Sequence, residues 1–170
     1  IQAVRMMVTP DWFEKQNDND DPFTANPDGF DMDNDEMNCL FAYLKVCEEL
    51  GVRVTLTWWG APAGHWLAHP NIGDWIGAPN DAEEMAENIS YLLQYIRKTL
   101  GYNCVKELII QNEPSYSFHV EGGAVDLDLY VACYKAMYKR LNNMGMGDIV
   151  LVGADDAQNF GWFCSAVEAL

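Results

Sequence analysis

Positive charge is scarce in this sequence: 10 Lys and Arg stand against 26 Asp and Glu, a formal net charge of -16. Binding a phosphate backbone needs Lys and Arg gathered on one surface, and they gather nowhere here, so no nucleic-acid partner is expected. No apolar run approaches the roughly 18 residues of a membrane span, so no span is expected. Neither Gly-x-Gly-x-x-Gly nor the Gly-x4-Gly-Lys phosphate loop occurs, which removes the usual nucleotide cradles. The five cysteines, Cys39, Cys47, Cys104, Cys133 and Cys164, form no Cys-x-x-Cys pair and are odd in number. Free, buried thiols are expected rather than a disulfide framework. The first residue is Ile1, so the lack of a visible leader decides nothing about destination.

What is present is enough apolar material for a core. The 170 residues are 49% hydrophobic, which suits one domain. Residues 3–9 read as a strand stopped by Pro10. Met37, Leu40, Phe41, Leu44 and Cys47 recur at helical spacing over 35–50, and Gly51 ends that helix. A strand follows over 52–58, then a helix over 81–100, capped by Asn80 or Asp81 and ended by Gly101. A strand at 105–111, a helix at 126–144, a strand at 148–153 and a helix from 160 complete the chain. The order βαβαβαβα predicts a parallel sheet.

The connections are unequal. Those after strands are long, at 11–34, 59–80 and 114–125, while those after helices are a few residues around Gly51, Gly101 and Gly145. Parallel α/β folds place their active sites at the carboxyl ends of the strands, which is where the long connections fall. Four βα units are half of a (β/α)8 barrel, and without a phosphate loop the half barrel is preferred to an open nucleotide-binding sheet. The expected fold is therefore α/β, a partial TIM barrel.

One strand ends with chemistry. The run Leu108-Ile109-Ile110-Gln111 passes into Asn112-Glu113-Pro114. Pro114 disfavours helical backbone at Glu113, which leaves an extended or turn conformation that presents the carboxylate at the strand's end. A carboxylate there is either a structural ion pair, with Arg5 as a candidate partner, or a working acid.

The segment Ile109-Ile110-Gln111-Asn112-Glu113-Pro114 resembles the fourth-strand motif of the glycoside hydrolase clan A barrels, which include the family 5 cellulases and mannanases. The runs Ala3–Met7, Val52–Gly60 and Asp148–Asp155 resemble their second, third and fifth strands. The resemblance covers nearly the whole chain, and only the Asn-Glu-Pro motif in it is specific. It implies that residues 1–170 are a fragment of one catalytic barrel, part of a retaining β-glycosidase. Glu113 would be the general acid/base, Asn112 would orient the sugar, and Arg5 would lie beneath the site. The nucleophilic Glu of that clan stands on strand seven, beyond this chain, so the fragment alone should be inactive. It would need the remainder of the barrel or a second copy of itself to cover its sheet edges. The substrate implied is an oligo- or polysaccharide, with no cofactor, and the home implied by polymer substrates is extracellular or periplasmic.

Sugars present flat CH faces that suit aromatic platforms. Trp12, Trp58, Trp59, Tyr116 and His119 are expected to line the cleft, whereas Trp66 and Trp75 lean towards loop packing. His65 and His69 are four apart, but no Glu follows the first, as a zinc-protease helix requires, so no metal is expected. The acidic run Asp31–Glu36 lacks the EF-hand glycine and twelfth-position Glu, and reads as the cap of the next helix. Two other readings stand beside the enzyme. One is a carbohydrate-binding or interaction module that kept the half barrel without chemistry; the other is a barrel enzyme of different chemistry, such as a metal-dependent isomerase.

Overall fold

A computed structural model describes residues 1–70, 72, 75–117, 126–156 and 159–170, without the side chains of Tyr116 and Ser117. Strand β1 is Ala3–Val8, and Pro10 turns the chain out of it. Helix α1, Asp35–Leu50, starts where the Asn34 side chain accepts from the Met37 amide and stops at Gly51, in left-handed backbone. Asn34 thus caps the helix at the end of the acidic run, with Asp35 and Glu36 against the dipole's positive end. Strand β2, Arg53–Trp58, is followed by a short antiparallel pair, β3 (Ala61–Pro62) and β4 (Ile76–Gly77), inside the long connection. Helix α2, Ala82–Gln94, is capped by Asp81 and continues as a π-helical turn over Tyr95–Thr99. Strand β5 is Val105–Ile109, and a short helix α3, Pro114–Ser117, follows it. Helix α4 is Leu127–Asn143, strand β6 is Val150–Leu151, and helix α5 is Phe160–Ala169.

The expected elements are present, with differences in the connections, where the short helix α3 opens the stretch expected as a loop over 114–125, and in the last strand. The fourth main strand is two residues long rather than the six expected over 148–153. Asp148 at its start is held by a forked pair of hydrogen bonds from Arg97, and a turn at Ala154 pulls the chain away at its end. The connection 59–80 also carries a two-stranded ribbon whose elements are too short to show a period in sequence.

The four main strands are parallel in the order β1-β2-β5-β6, which is their order in the chain. Successive helices touch: Phe41 of α1 stacks on Tyr95 beyond α2, α2 packs on α4, and Tyr130 of α4 meets Trp162 of α5. Helices that neighbour one another in sequence order form one layer. A sheet wound in one direction under one helix layer is a barrel segment, whereas a doubly wound sheet reverses its order and puts helices on both faces. The fold is α/β, a partial barrel of four βα units. Among the described residues, β1 and β6 each have one neighbour and an open outer edge.

Strand alternation separates the two faces of the sheet. On β2, Val54, Leu56 and Trp58 turn towards the helices and have no exposed surface. Burying such side chains contributes about 1.5–3 kcal/mol each. Arg53, Thr55 and Thr57 turn the other way. All five cysteines are free, and Cys47, Cys104 and Cys133 are buried.

Candidate active site at the carboxyl ends of the strands

Arg5 organises this end of the sheet. It stands on β1 and its Nε donates to Thr57 Oγ1 on β2 at 2.8 Å. Its Nη2 donates to Asn112 Oδ1, beyond β5, at 2.8 Å and pairs with Asp155 Oδ2, beyond β6, at 2.5 Å. One guanidinium on β1 therefore meets residues at or just past the carboxyl ends of the other three main strands. Asp155 lies four residues past β6, and the left-handed turn at Ala154 just before it carries the chain back to Arg5.

Gln111 and Asn112 follow β5 directly. Gln111 is fully buried, and its Nε2 donates to the Trp59 carbonyl at 3.0 Å, tying the end of β5 to the end of β2. Gly60 must be glycine for this approach. Its φ is +135°, and an added Cβ would lie 2.9 Å from both Gln111 Nε2 and the Gly77 carbonyl.

Glu113 is exposed at the strand end, not buried in it. Its φ is +47°, in the left-handed region, and Pro114 opens helix α3 immediately after it. The proline excludes right-handed helix at Glu113, and the backbone takes a left-handed turn rather than the extended alternative. That conformation costs a non-glycine residue about 1–2 kcal/mol. Strain of this kind concentrates where a side chain must be aimed. The ion pair that Arg5 makes is with Asp155.

The aromatic residues divide. Trp59 is half-buried and meets Trp75 edge-on, with ring centroids 4.9 Å apart; Trp75 is 64% exposed. Trp12 is half-buried and lines a hollow at the outer edge of β1 with Met6, Met7, Leu40 and Tyr43. Trp58 does not line a cleft. It is sealed beneath the helices, and its indole N–H donates to Asn88 Oδ1 of α2 at 3.2 Å. Strand parity places it there with Val54 and Leu56. Tyr116 belongs to α3, with its side chain outside the described residues, and His119 lies outside them altogether. Both ring nitrogens of His65 are engaged, Nε2 with the Glu14 carbonyl at 2.8 Å and Nδ1 with the Leu67 amide at 3.2 Å. Trp66 donates to the same Glu14 carbonyl at 3.0 Å and packs the loop, as expected. Among the described residues, no group of three or more His, Cys, Asp or Glu is arranged to hold a metal.

Sequence reading missed three parts of this structure. Asp155 carried a signal, being the first acidic residue past the last strand. Trp75 was assigned to packing because nothing local marks it as exposed. The third is a buried carboxylate group beneath the loop that follows β1. Glu14 is 1% exposed, and its Oε2 accepts from Asn88 Nδ2 at 2.8 Å, so Asn88 joins it to Trp58. Burial, with Asp18 and Glu87 nearby, pushes the Glu14 carboxyl up to about 8. Glu87, also 1% exposed, pairs with Arg140 of α4 at 3.0 Å; burial and then Asp18 push it up to about 7 against the pull of Arg140. No sequence pattern announces these groups. They fasten the loop to α2 and α4 on the helix side of the sheet.

Solved structures that share the fold include the following three. The catalytic domain of GH30 xylanase C from Talaromyces cellulolyticus matches with a TM-score of 0.59 and 15% identity, over 98% of this chain and 41% of its own. SrfJ from Salmonella typhimurium matches with 0.64 and 18%, over 99% and 39%. The endo-β1,6-glucanase BT3312 matches with 0.59 and 15%, over 99% and 41%. The chain thus spans about two fifths of the length of the solved structures it resembles. At these identities the likeness is one of fold. No protein-family model matches the sequence, and no curated protein matches it.

Proposed function

We propose that this chain is the acid/base-bearing part of a retaining glycoside hydrolase acting on β-linked oligo- or polysaccharides. The observation that carries the reading is Glu113, exposed and held in left-handed backbone at the carboxyl end of the third parallel strand, directly after an Asn112 fixed by Arg5. Glu113 protonates the leaving oxygen and then activates water, while a carboxylate from the remainder of the barrel forms the glycosyl ester. The two carboxyls would lie about 5–5.5 Å apart. Asn112 orients the sugar beside the broken bond, and Trp59, Trp75 and Tyr116 border the cleft. His119, in the connection that follows, is the other contact proposed from the sequence. Residues 1–170 are one piece of a single catalytic domain, and the open edges of β1 and β6 receive the rest of the barrel. A polymer substrate places the protein in an extracellular or periplasmic setting.

The test uses the protein that carries the remaining βα units. Glu113→Gln should lower turnover of glycosides with poor leaving groups by about 10²–10⁴-fold. Glycosides with activated aryl leaving groups should still form the glycosyl ester, because they need no acid. Turnover of both substrates equal to wild type would overturn the reading. A non-catalytic carbohydrate-binding module is the second reading, favoured by the exposed Trp75 seated against Trp59. It requires that no intact form of the protein cleave such bonds while Trp75→Ala lowers its affinity for oligosaccharides.

A further inference from the structure

Asp155 is placed with more care than a surface ion pair needs. It follows Ala154, whose φ of +49° is left-handed and, like that of Glu113, carries strain. Two tyrosines of α4 hold this turn. Tyr134 Oη donates to the Val152 carbonyl at 2.5 Å, and the Ala154 amide donates to Tyr130 Oη at 3.0 Å. Tyr130 is fully buried and Tyr134 nearly so, which fixes the turn against the core. The Asp156 amide closes back on the Ala154 carbonyl at 2.7 Å, tightening the turn around Asp155. The chain thereby swings back over the concave side of the sheet and meets Arg5, which in turn holds Asn112.

The chemistry of that contact has a direction. A guanidinium only donates hydrogen bonds, so the atom of Asn112 facing Arg5 is the amide oxygen. Holding Arg5 in place therefore fixes which end of the Asn112 amide is turned towards Arg5 and which is turned away from it. Arg5 is partly exposed, with 37% of its side chain open; Thr57 holds its Nε, and Asp155 is the anion that restrains its Nη2, the atom that reaches Asn112.

We propose that Asp155 is a positioning residue for the strand-end site: it acts through Arg5 to lock the Asn112 amide in a single orientation beside Glu113. This deepens the glycosidase reading and rests on it for its kinetic test. In the complete protein, Asp155→Ala should lower kcat by about 100-fold with little change in KM, because misplacing an orienting group is felt mainly in the transition state. Asp155→Asn, which keeps an acceptor but loses the charge, should fall between wild type and Asp155→Ala. The double variant Asp155→Ala with Asn112→Ala should be no slower than Asn112→Ala alone, because both changes remove one orientation. Losses that multiply instead would overturn the proposal, since a merely structural Asp155 would act independently of Asn112. A crystal structure of the Asp155→Ala protein supplies a readout free of activity. Arg5 is expected to have left Asn112, and an Arg5–Asn112 contact unchanged at 2.8 Å would overturn the proposal. Should Glu113→Gln leave turnover untouched, the glycosidase reading fails, and that crystal structure still decides the role of Asp155.

Discussion

The two faces of strand β2 solve different problems with alternate residues of the same six. Towards the helices, Val54, Leu56 and Trp58 have no contact with water, and apolar burial holds them. Away from the helices, Arg53, Thr55 and Thr57 are held by directed polar contacts. Thr55 donates to Glu107 at 2.5 Å, Arg53 faces the same carboxylate at 3.6 Å, and Thr57 accepts from Arg5. Burial is insensitive to small shifts in geometry, whereas hydrogen bonds fail with an ångström of displacement. Stability and site geometry are thus assigned to opposite sides of one strand.

That division predicts separable effects. Leu56→Ala removes a side chain with no room to collapse into, and should cost about 2–5 kcal/mol in denaturant unfolding. The surviving folded molecules should keep their activity, and a kcat per active site that fell with stability would remove the separation. The same face has one polar intrusion, where Asn88 links Trp58 to the buried Glu14. Asn88→Ala should cost about 1–3 kcal/mol, because it leaves two buried partners without their hydrogen bonds.

This network also sets a pH dependence. The folded-state carboxyls of Glu14 and Glu87 are raised to about 8 and about 7 from an ordinary 4.5. The folded state then binds protons that the unfolded state has released. Their contribution to stability is full below about pH 4.5 and is lost as pH rises through 7 to 8. Urea midpoints taken at pH 5, 6.5 and 8 should fall in that order, and Glu14→Gln should flatten the decline; midpoints that rise across this window would contradict the assignment.

On the concave face the expected losses of stability are small and the functional ones large. Thr57→Val keeps the shape but removes the acceptor for Arg5 Nε, and should cost about 1 kcal/mol of stability while lowering kcat more than Leu56→Ala does. Arg53→Ala breaks a pair in which Arg53 is exposed and Glu107 half-buried, at 3.6 Å, and should change stability by less than about 1 kcal/mol, measured by the same unfolding.

Much of this fold was legible. Met37, Leu40, Phe41, Leu44 and Cys47 fixed helix α1 through their period, Gly51 marked its end, and the run Asp31–Glu36 marked its start, within which the structure picks Asn34 as the cap. Asn112-Glu113-Pro114 marked a strand end from local conformational limits alone. The direction of Trp58 was also within reach, since it shares parity with Val54 and Leu56. Trp58 on the helix side departs from the expectation that it lines the cleft.

Periodicity, capping and the restriction before proline act over a few residues, so the amino-acid order by itself settled where the long helices and the first three main strands lie and where the acidic strand end falls. The company that Arg5 keeps and the raised carboxyls of Glu14 and Glu87 were not settled there. Arg5 meets partners 107 and 150 positions away, and Glu14 meets one 74 positions away. Contacts and desolvation at that separation exist only once the chain has closed on itself, and so the tertiary structure alone decided them.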